Sequence, residues 1–194
     1  MKASHPDESR EIAETRAWVN RVVIGLNLCP FAKAPQVKGR VRYVTSDAVR
    51  TEDLLTALID ELKLLAAAPM DEVETTMLIH PRVLNDFVLY NDFFDVAEGA
   101  LDALGLVGTL QLASFHPQYQ FAGTSPHDVT NATNRSPYPM LHLIREDSID
   151  RAVAAFPDAE KIYKTNMDTM RRLGAEGLSA LLKQCRDDAE RTDR

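Results

Sequence analysis

Cysteine is scarce in this chain, which has only Cys29 and Cys185 among its 194 residues. Two cysteines this far apart make neither a disulfide framework nor the paired-cysteine pattern of a zinc site. Long apolar runs are also missing: the start of the chain is mostly polar, and no later stretch has the roughly 18 apolar residues of a membrane helix. We therefore expect a cytoplasmic protein with no membrane partner.

The sequence also lacks the glycine-rich motifs of common nucleotide-binding proteins and the G-x-S-x-G elbow of α/β-hydrolases. Basic residues are in the minority, because 22 Lys and Arg stand against 29 Asp and Glu and give a formal net charge of −7. Binding to a phosphate backbone needs a positive field. Nucleic acid is therefore not an expected partner.

The apolar pattern predicts strands that alternate with helices. Alternating or continuous apolar runs predict four strands, at 41–45, 75–80, 109–115 and 140–144. Helical spacing predicts helices at about 7–28, 51–65, 85–104, 148–156 and 158–185. This order is typical of a single α/β domain, residues 1–194, with about four strands in a mainly parallel or mixed sheet between flanking helices.

Two further features of this fold prediction stay open at the sequence level. The polar ends, residues 1–8 and 186–194, are predicted to be poorly ordered tails. The alternative architecture is a two-layer α+β sandwich, in which all helices cover one face and the fourth strand is antiparallel.

Two histidines, His80 and His116, stand at the ends of the second and third predicted strands, and each is followed by proline. A strand does not easily continue through proline, so both rings should lie where strands leave the sheet. If these two strands are parallel neighbours, the rings meet at one edge and can act as acid/base groups or metal ligands. In the alternative interpretation, each ring only binds a loop backbone.

A third histidine, His142, lies inside the fourth predicted strand. Together with His80 and His116 it can complete a three-histidine site for zinc or iron. The alternative is a core histidine whose ring is satisfied by a neighbouring backbone group.

The loop before the fourth strand concentrates polar and aromatic side chains. Arg135 offers a planar fork for a carboxylate or phosphate, and Asn134 and Ser136 can add donors around a bound anion. Tyr119 and Tyr138 can form walls of the same pocket. The alternative is that Arg135 pairs with an acid of the chain, such as Asp92 or Asp95.

Cys29 and Asp92 are candidates for supporting roles. Cys29 lies at the end of the first predicted helix, where the partial negative charge of the helix terminus opposes a thiolate, so we expect an unreactive thiol. Asp92 follows the strand that ends at His80 and can orient an imidazole, or it can be a solvated acid on a polar helix face.

Several motifs follow one another along nearly the whole chain. They are Asn27-Leu28-Cys29-Pro30-Phe31-Ala32, Ile79-His80-Pro81, Tyr90-Asn91-Asp92-Phe93, Ser114-Phe115-His116-Pro117, Thr133-Asn134-Arg135-Ser136-Pro137-Tyr138-Pro139 and Leu141-His142-Leu143. Taken together, these motifs resemble a family of bacterial proteins of about this length that is catalogued as a domain of unknown function. The resemblance implies a single domain, and it brings no substrate, cofactor or catalytic residue.

The leading functional hypothesis is an enzyme that acts on a small anionic molecule, with His80 and His116 as reactive groups and Arg135 as a substrate clamp. It predicts that replacing His116 with Ala abolishes turnover and leaves thermal stability nearly unchanged. The alternative is a non-catalytic ligand-binding or regulatory domain, in which Arg135 and the aromatic loop recognise the anion. An interaction module that uses an exposed helix face is a further alternative.

Overall fold

The computed structural model describes residues 9–155 and 159–192, and within them four strands form one sheet that is flanked by helices. The strands are β1 (Val41–Thr45), β2 (Thr75–Ile79), β3 (Leu110–Phe115) and β4 (Met140–Arg145). The helices are α1 (Arg10–Trp18), α2 (Lys33–Val37), α3 (Thr51–Ala67), α4 (Phe87–Ala103), α5 (Glu146–Ala155) and α6 (Ala159–Thr192), with a π-helix at Val19–Ile24 and a 3₁₀ helix at Val129–Asn134. The predicted α/β fold is confirmed.

The sheet is mixed, with the strand order β1-β2-β4-β3. β1 and β2 are parallel, whereas β4 is antiparallel to both of its neighbours, β2 and β3. The second and third strands are therefore not adjacent, which corrects one condition of the sequence prediction. They nevertheless run in the same direction because each is antiparallel to β4, so both end at the same edge of the sheet.

One face of the sheet packs against α3 and α4. Leucines recur along α3 at 54, 58, 62 and 65, one helical face, and all four are fully buried. They pack with apolar side chains that point to the same face of the strands, namely Leu78, Leu110, Leu141 and Leu143. This first face carries the larger of the two apolar cores and fixes α4 beside the ends of β2 and β3.

The opposite face packs against α1, the π-helix and α6. Its core contains Trp18 from α1, Met77 and Ile79 from β2, Met140 from β4 and Met170 from α6. Because helices cover both faces of the sheet, the two-layer sandwich is excluded, although its antiparallel fourth strand is present. Among the described residues, no helix is both long and apolar enough to cross a membrane.

The chain ends differ from the sequence prediction. The last helix does not stop near 185 but continues to Thr192, with Gly174 at φ 66° interrupting its regular backbone. Asp188 pairs with Arg21, and Ala189 is buried. Asp188 and Ala189 thus pack against the rest of the molecule, while the poor order of residues 186–194 stays a prediction. Residues 1–8 and 193–194 lie outside the described residues.

Candidate functional site

His80 and His116 leave the same edge of the sheet on the side of α3 and α4. The backbone N–H of His80 donates to the Pro139 carbonyl (3.0 Å), and that of His116 donates to the Asn134 carbonyl (3.3 Å). Both histidines are completely buried. The start of β4 lies between them, so the rings converge on one side of the sheet but are held apart by a strand.

Tyr90, on α4, lies between the two imidazole rings. Its ring centroid is 5.8 Å from that of His80 and 5.1 Å from that of His116. The Tyr90 hydroxyl donates to the Met140 carbonyl (2.8 Å) and accepts from the Phe115 N–H (3.1 Å). Tyr90 thus joins the ends of β3 and β4. We call His80, Tyr90 and His116 the histidine cluster.

Both ring nitrogens of His116 bind the backbone. Nδ1 accepts from the Gln118 N–H (3.0 Å), so the ring proton is on Nε2, which donates to the Leu84 carbonyl (3.1 Å). Burial lowers the pKa of His116, while Leu84 and Asp86 act in the opposite direction. His116 is therefore a neutral ring that holds two turns together, as the alternative interpretation predicts.

The ring of His80 is satisfied on one side only. Nδ1 donates to the Val83 carbonyl (3.1 Å), whereas the buried Nε2 has no hydrogen-bond partner among the described residues. Burial lowers the pKa of His80 to about 4. His80 is thus a neutral imidazole near pH 7, with a free lone pair on Nε2.

The turn between the two histidines is strained. It includes Leu84, whose φ of 58° lies in the left-handed region that branched side chains rarely adopt. The Leu84 carbonyl is the one that accepts from His116. This partly buried hydrogen bond helps to hold Leu84 in an unfavourable conformation.

His142 lies on the opposite face of the sheet, in register with Met77 and Ala113. The Thr75 hydroxyl donates to the Leu143 carbonyl (2.7 Å) and therefore accepts from Nε2 of His142 (2.7 Å). Burial lowers the pKa of His142 to about 4. Its ring is anchored in the second core, which fits the interpretation as a structural histidine.

The structure does not bring the predicted three-histidine metal set together. Side chains alternate between the two faces of a strand, and His142 takes the face opposite to that of His80 and His116. Within residues 9–155 and 159–192, no group of three or more His, Cys, Asp or Glu is arranged to hold a metal ion.

Arg135 lies directly after the 3₁₀ helix and is partly buried. Its Nε donates to the Tyr119 carbonyl (3.0 Å) and its Nη2 to the Pro126 carbonyl (2.7 Å). Burial lowers the pKa of the guanidinium, which stays charged at neutral pH. The structure gives Arg135 no carboxylate partner among the described residues, neither Asp92 nor Asp95.

The other predicted binding residues mainly hold the loop in place. The Asn134 side-chain amide donates to the Ser114 carbonyl (3.3 Å), and the Ser136 hydroxyl donates to the Tyr138 carbonyl (2.6 Å). The Tyr138 hydroxyl donates to the buried carboxylate of Glu14 (2.7 Å), away from Arg135. Asn134, Ser136 and Tyr138 therefore order the loop, because each of them already uses a polar side-chain atom in a hydrogen bond within the protein.

Tyr119 belongs to the aromatic layer beside the histidine cluster. Its ring packs against Phe87 and Phe121, with centroid distances of 5.1 and 5.0 Å. Phe87 in turn contacts His116 at 5.4 Å. Tyr119 thus links the rings of the cluster to the loop that carries Arg135.

Cys29 and Asp92 do not join this group. Burial raises the pKa of the Cys29 thiol, and the backbone N–H groups of Phe31 and Ala32 only partly offset that effect. Asp92 is exposed on α4 and lines a separate surface groove with Leu89 and Val96. Neither residue is placed to orient or activate His80 or His116.

An open cavity of about 430 Å³ lies beside the histidine cluster, at the N-terminus of α4. Four of the residues around it are polar or charged, and four are apolar. They are Asp86, Gln118, Gln120, Arg135, Phe87, Val88, Pro117 and Pro126. We call this space the Arg135 cavity.

Three polar residues of the cavity, Asp86, Gln118 and Gln120, are absent from the sequence-based prediction. Asp86 has a sequence signal, since an Asp immediately before an amphipathic stretch is a typical helix N-cap. Its Oδ1 indeed accepts from the N–H groups of Val88 (2.9 Å) and Leu89 (3.1 Å). The two glutamines have no such signal, because only the fold of the loop brings them to the cavity.

A family model matches residues 10–180, nearly the whole of the described chain. No curated protein and no solved structure matches. The predicted resemblance to a family of unknown function is confirmed over that range. The chain belongs to DUF1415, a family described as proteins of unknown function.

Proposed function

We propose that this protein recognises a small anionic molecule, such as a carboxylate or a phosphate monoester, in the Arg135 cavity. The observation that carries the proposal is the guanidinium of Arg135, which lies in the cavity wall without a carboxylate partner in the described part of the chain. A buried or half-buried cation is normally paired. A bound anion supplies the missing partner.

The guanidinium is held in one orientation before any ligand arrives. Of its five N–H donors, two are used on the Tyr119 and Pro126 carbonyls, so three have no partner within the described residues. A planar fork with free parallel donors matches the two oxygens of a carboxylate or phosphate. Because the side chain is already ordered, binding does not have to fix its rotamer.

Recognition fits the geometry better than histidine-dependent catalysis. A general acid or base must reach the substrate directly or through one water molecule. His116 has both nitrogens bound to the backbone, and both histidines are completely buried. The histidine cluster therefore supports the wall of the cavity through Phe87 and the Gln118 turn.

The experiment is isothermal titration calorimetry with succinate, inorganic phosphate and the neutral analogue succinamide. We expect saturable binding of at least one anion and none of succinamide. Arg135→Gln should weaken anion binding roughly a hundredfold, because the charge and a pair of charge-assisted hydrogen bonds are lost together. Arg135→Lys, which keeps the charge, should retain part of the affinity.

The matched control is Arg82→Gln, which removes an exposed arginine whose nearest acid is Asp47 at 3.4 Å. It lowers the net charge by the same amount outside the cavity. Equal anion binding by the wild type and the Arg135→Gln variant, or equal losses in both variants, contradicts the proposal. Circular dichroism of each variant establishes that the fold is retained.

Histidine-dependent chemistry is the second candidate function, and one observation favours it. Nε2 of His80 is an unpartnered acceptor at the end of β2. If His80 takes a proton from a ligand, the ¹⁵N chemical shifts of its ring must change when that ligand binds. The test is an NMR titration of ¹⁵N-histidine-labelled protein with the anion that binds most tightly. Unchanged ¹⁵N shifts of the His80 ring exclude proton transfer from the ligand to His80.

We also propose a cytoplasmic location. Both cysteines of the chain are free thiols, which is the usual state in a reducing compartment. Localisation of a tagged full-length chain in fractionated cells tests this, and recovery outside the cytoplasm contradicts it.

A further inference from the structure

We infer that the ligand of the Arg135 cavity carries an amine as well as an anion, and is a small amino acid or a related zwitterion. This inference rests on the proposed function. Its basis is a second charge in the same cavity that has no ion-pair partner among the described residues: the carboxylate of Asp86 lines the wall that α4 provides, while Arg135 lines the wall that the loop provides.

Asp86 is engaged on one oxygen only. Oδ1 caps α4 by accepting from Val88 and Leu89, whereas no residue of the described chain donates to Oδ2. No Lys or Arg within those residues lies in ion-pair distance of Asp86. Asp86 thus keeps an acceptor for a ligand while it performs its capping role.

The two charges of the cavity do not neutralise each other. Asp86 and Arg135 line the same space, yet they form no ion pair, although opposite charges attract when nothing holds them apart. The carbonyls of Tyr119 and Pro126 hold Arg135, and the helix N-terminus holds Asp86. A ligand with a cation at one end and an anion at the other compensates both residues at once.

The remaining lining fits such a ligand. The Gln120 amide donates to the Thr124 carbonyl (2.6 Å), which leaves its own carbonyl oxygen to accept from an amine. Phe87, Val88 and the two prolines supply apolar contact for a short carbon chain. A volume of about 430 Å³ lies within the range of small-molecule sites, roughly 300–1,000 Å³.

The anionic end of the ligand should contribute more than the amine. The N-terminus of α4 carries roughly half a positive charge, which offsets part of the charge on Asp86. Asp86 is also exposed, and exposed ion pairs contribute little. We therefore expect the amine to improve binding by a factor of about three to five, in line with a typical exposed pair.

The experiment compares matched compounds by calorimetry. The zwitterions are glycine, β-alanine, γ-aminobutyrate and 5-aminopentanoate, and each is paired with the carboxylate that lacks the amine, from acetate to pentanoate. The series varies the distance between the two charges. We expect one zwitterion to bind more tightly than its carboxylate by about three- to fivefold.

Asp86→Asn is the test variant, because Asn caps a helix about as well as Asp and the fold should be kept. It should abolish the preference for the zwitterion and leave the affinity for the carboxylate the same or higher. Asp92→Asn is the control, since it removes an exposed acid on the same helix outside the cavity and should retain the preference.

The outcomes separate the two proposals. If carboxylates bind as tightly as zwitterions, or if Asp86→Asn retains the preference, the inference about the amine is overturned and anion recognition by Arg135 stands. If neither compound class binds with any dependence on Arg135, the proposed function fails as well.

Discussion

Two polar regions lie side by side at one edge of the sheet, and they differ in how their polar atoms are satisfied. In the histidine cluster, His116 and Tyr90 bind backbone groups with every polar atom of their side chains, and the one side-chain atom without a partner in the described chain is the buried Nε2 of His80. In the Arg135 cavity, Arg135 and Asp86 keep donors and an acceptor without partners in the described chain. The first region is closed, and the second is open to solvent.

The difference separates stability from recognition. A buried polar group that binds the backbone is costly to remove, because its former partners remain buried without a hydrogen bond. An exposed charge without a partner contributes little to folding but is available to a ligand. Substitutions in the histidine cluster should therefore lower stability, and those in the Arg135 cavity should lower affinity.

The largest expected effect on stability is that of His116→Ala. The Leu84 carbonyl and the Gln118 N–H lose their partner, and a cavity forms. We expect the free energy of unfolding to fall by about 4 kcal/mol, from two unpaired groups and the lost packing. Urea denaturation followed by circular dichroism measures it, with exposed His127→Ala as the control.

This outcome is opposite to the expectation for a catalytic His116, which predicts little loss of stability. A variant that unfolds at the same urea concentration as the wild type contradicts a structural role for His116. In that case the polar groups of the histidine cluster find other partners in solution, and the cluster does not differ from the Arg135 cavity in this respect.

The next effect is the dependence of stability on pH. Burial lowers the pKa of His80 from 6.5 to about 4, so in that range the unfolded chain binds more protons than the folded chain. The contribution of His80 to the free energy of unfolding is therefore fully present above pH 6.5, and it is lost as the pH falls toward 4. The difference corresponds to about 3 kcal/mol.

Urea denaturation between these two pH values, for the wild type and for His80→Asn, isolates the contribution of His80. On acidification, the free energy of unfolding should fall less steeply for the variant than for the wild type. The two slopes against pH should differ by at most the contribution of one bound proton. Parallel curves for the two proteins show that His80 is protonated as readily in the folded as in the unfolded chain, against the observed burial.

Tyr90→Phe should have a smaller effect. The substitution keeps the ring between the two imidazoles but removes the hydroxyl that binds Met140 and Phe115. The Met140 carbonyl, which is buried, and the Phe115 N–H, which is partly buried, then lack a partner, and we expect this to cost about 2 kcal/mol. Thermal denaturation of this variant, against Tyr163→Phe as an exposed control, measures the loss. Anion affinity should not change.

Arg135→Lys should have the smallest effect on stability, at most about 1 kcal/mol, because the hydrogen bond to Pro126 is exposed and the one to Tyr119 is only partly buried. Its effect on succinate affinity should be larger, roughly tenfold, since lysine lacks the planar fork. Calorimetry and urea denaturation on the same sample measure both. A large loss of stability with unchanged affinity assigns Arg135 to the structural region instead.

The sequence predicts the elements of this fold better than their arrangement. All four strands are found within one residue of their predicted bounds, because their apolar patterns are continuous and Pro81 and Pro117 limit two of them. The position of β4 between β2 and β3 cannot be predicted from the local pattern of apolar and polar residues. It depends on which edges of the growing sheet are free when the last strand pairs.

In the candidate site, too, the sequence predicts which residues are involved better than it predicts their contacts. The sequence identifies His80, His116 and Arg135, because a strand end before proline and a polar loop are local signals. It does not reveal that the histidines bind the backbone of Val83, Leu84 and Gln118, since those contacts depend on the conformation of two turns. The roles of the residues follow from such partners, and the partners are a property of the fold.

The placement of β4 has a consequence for synthesis on the ribosome. Among the described strands, β3 pairs only with β4, which leaves the ribosome about 30 residues later, so until then β3 has no strand to pair with. A nascent chain of this kind exposes an apolar edge and depends on late closure of the sheet. Truncation before Met140 should therefore yield an aggregating fragment rather than a smaller folded unit.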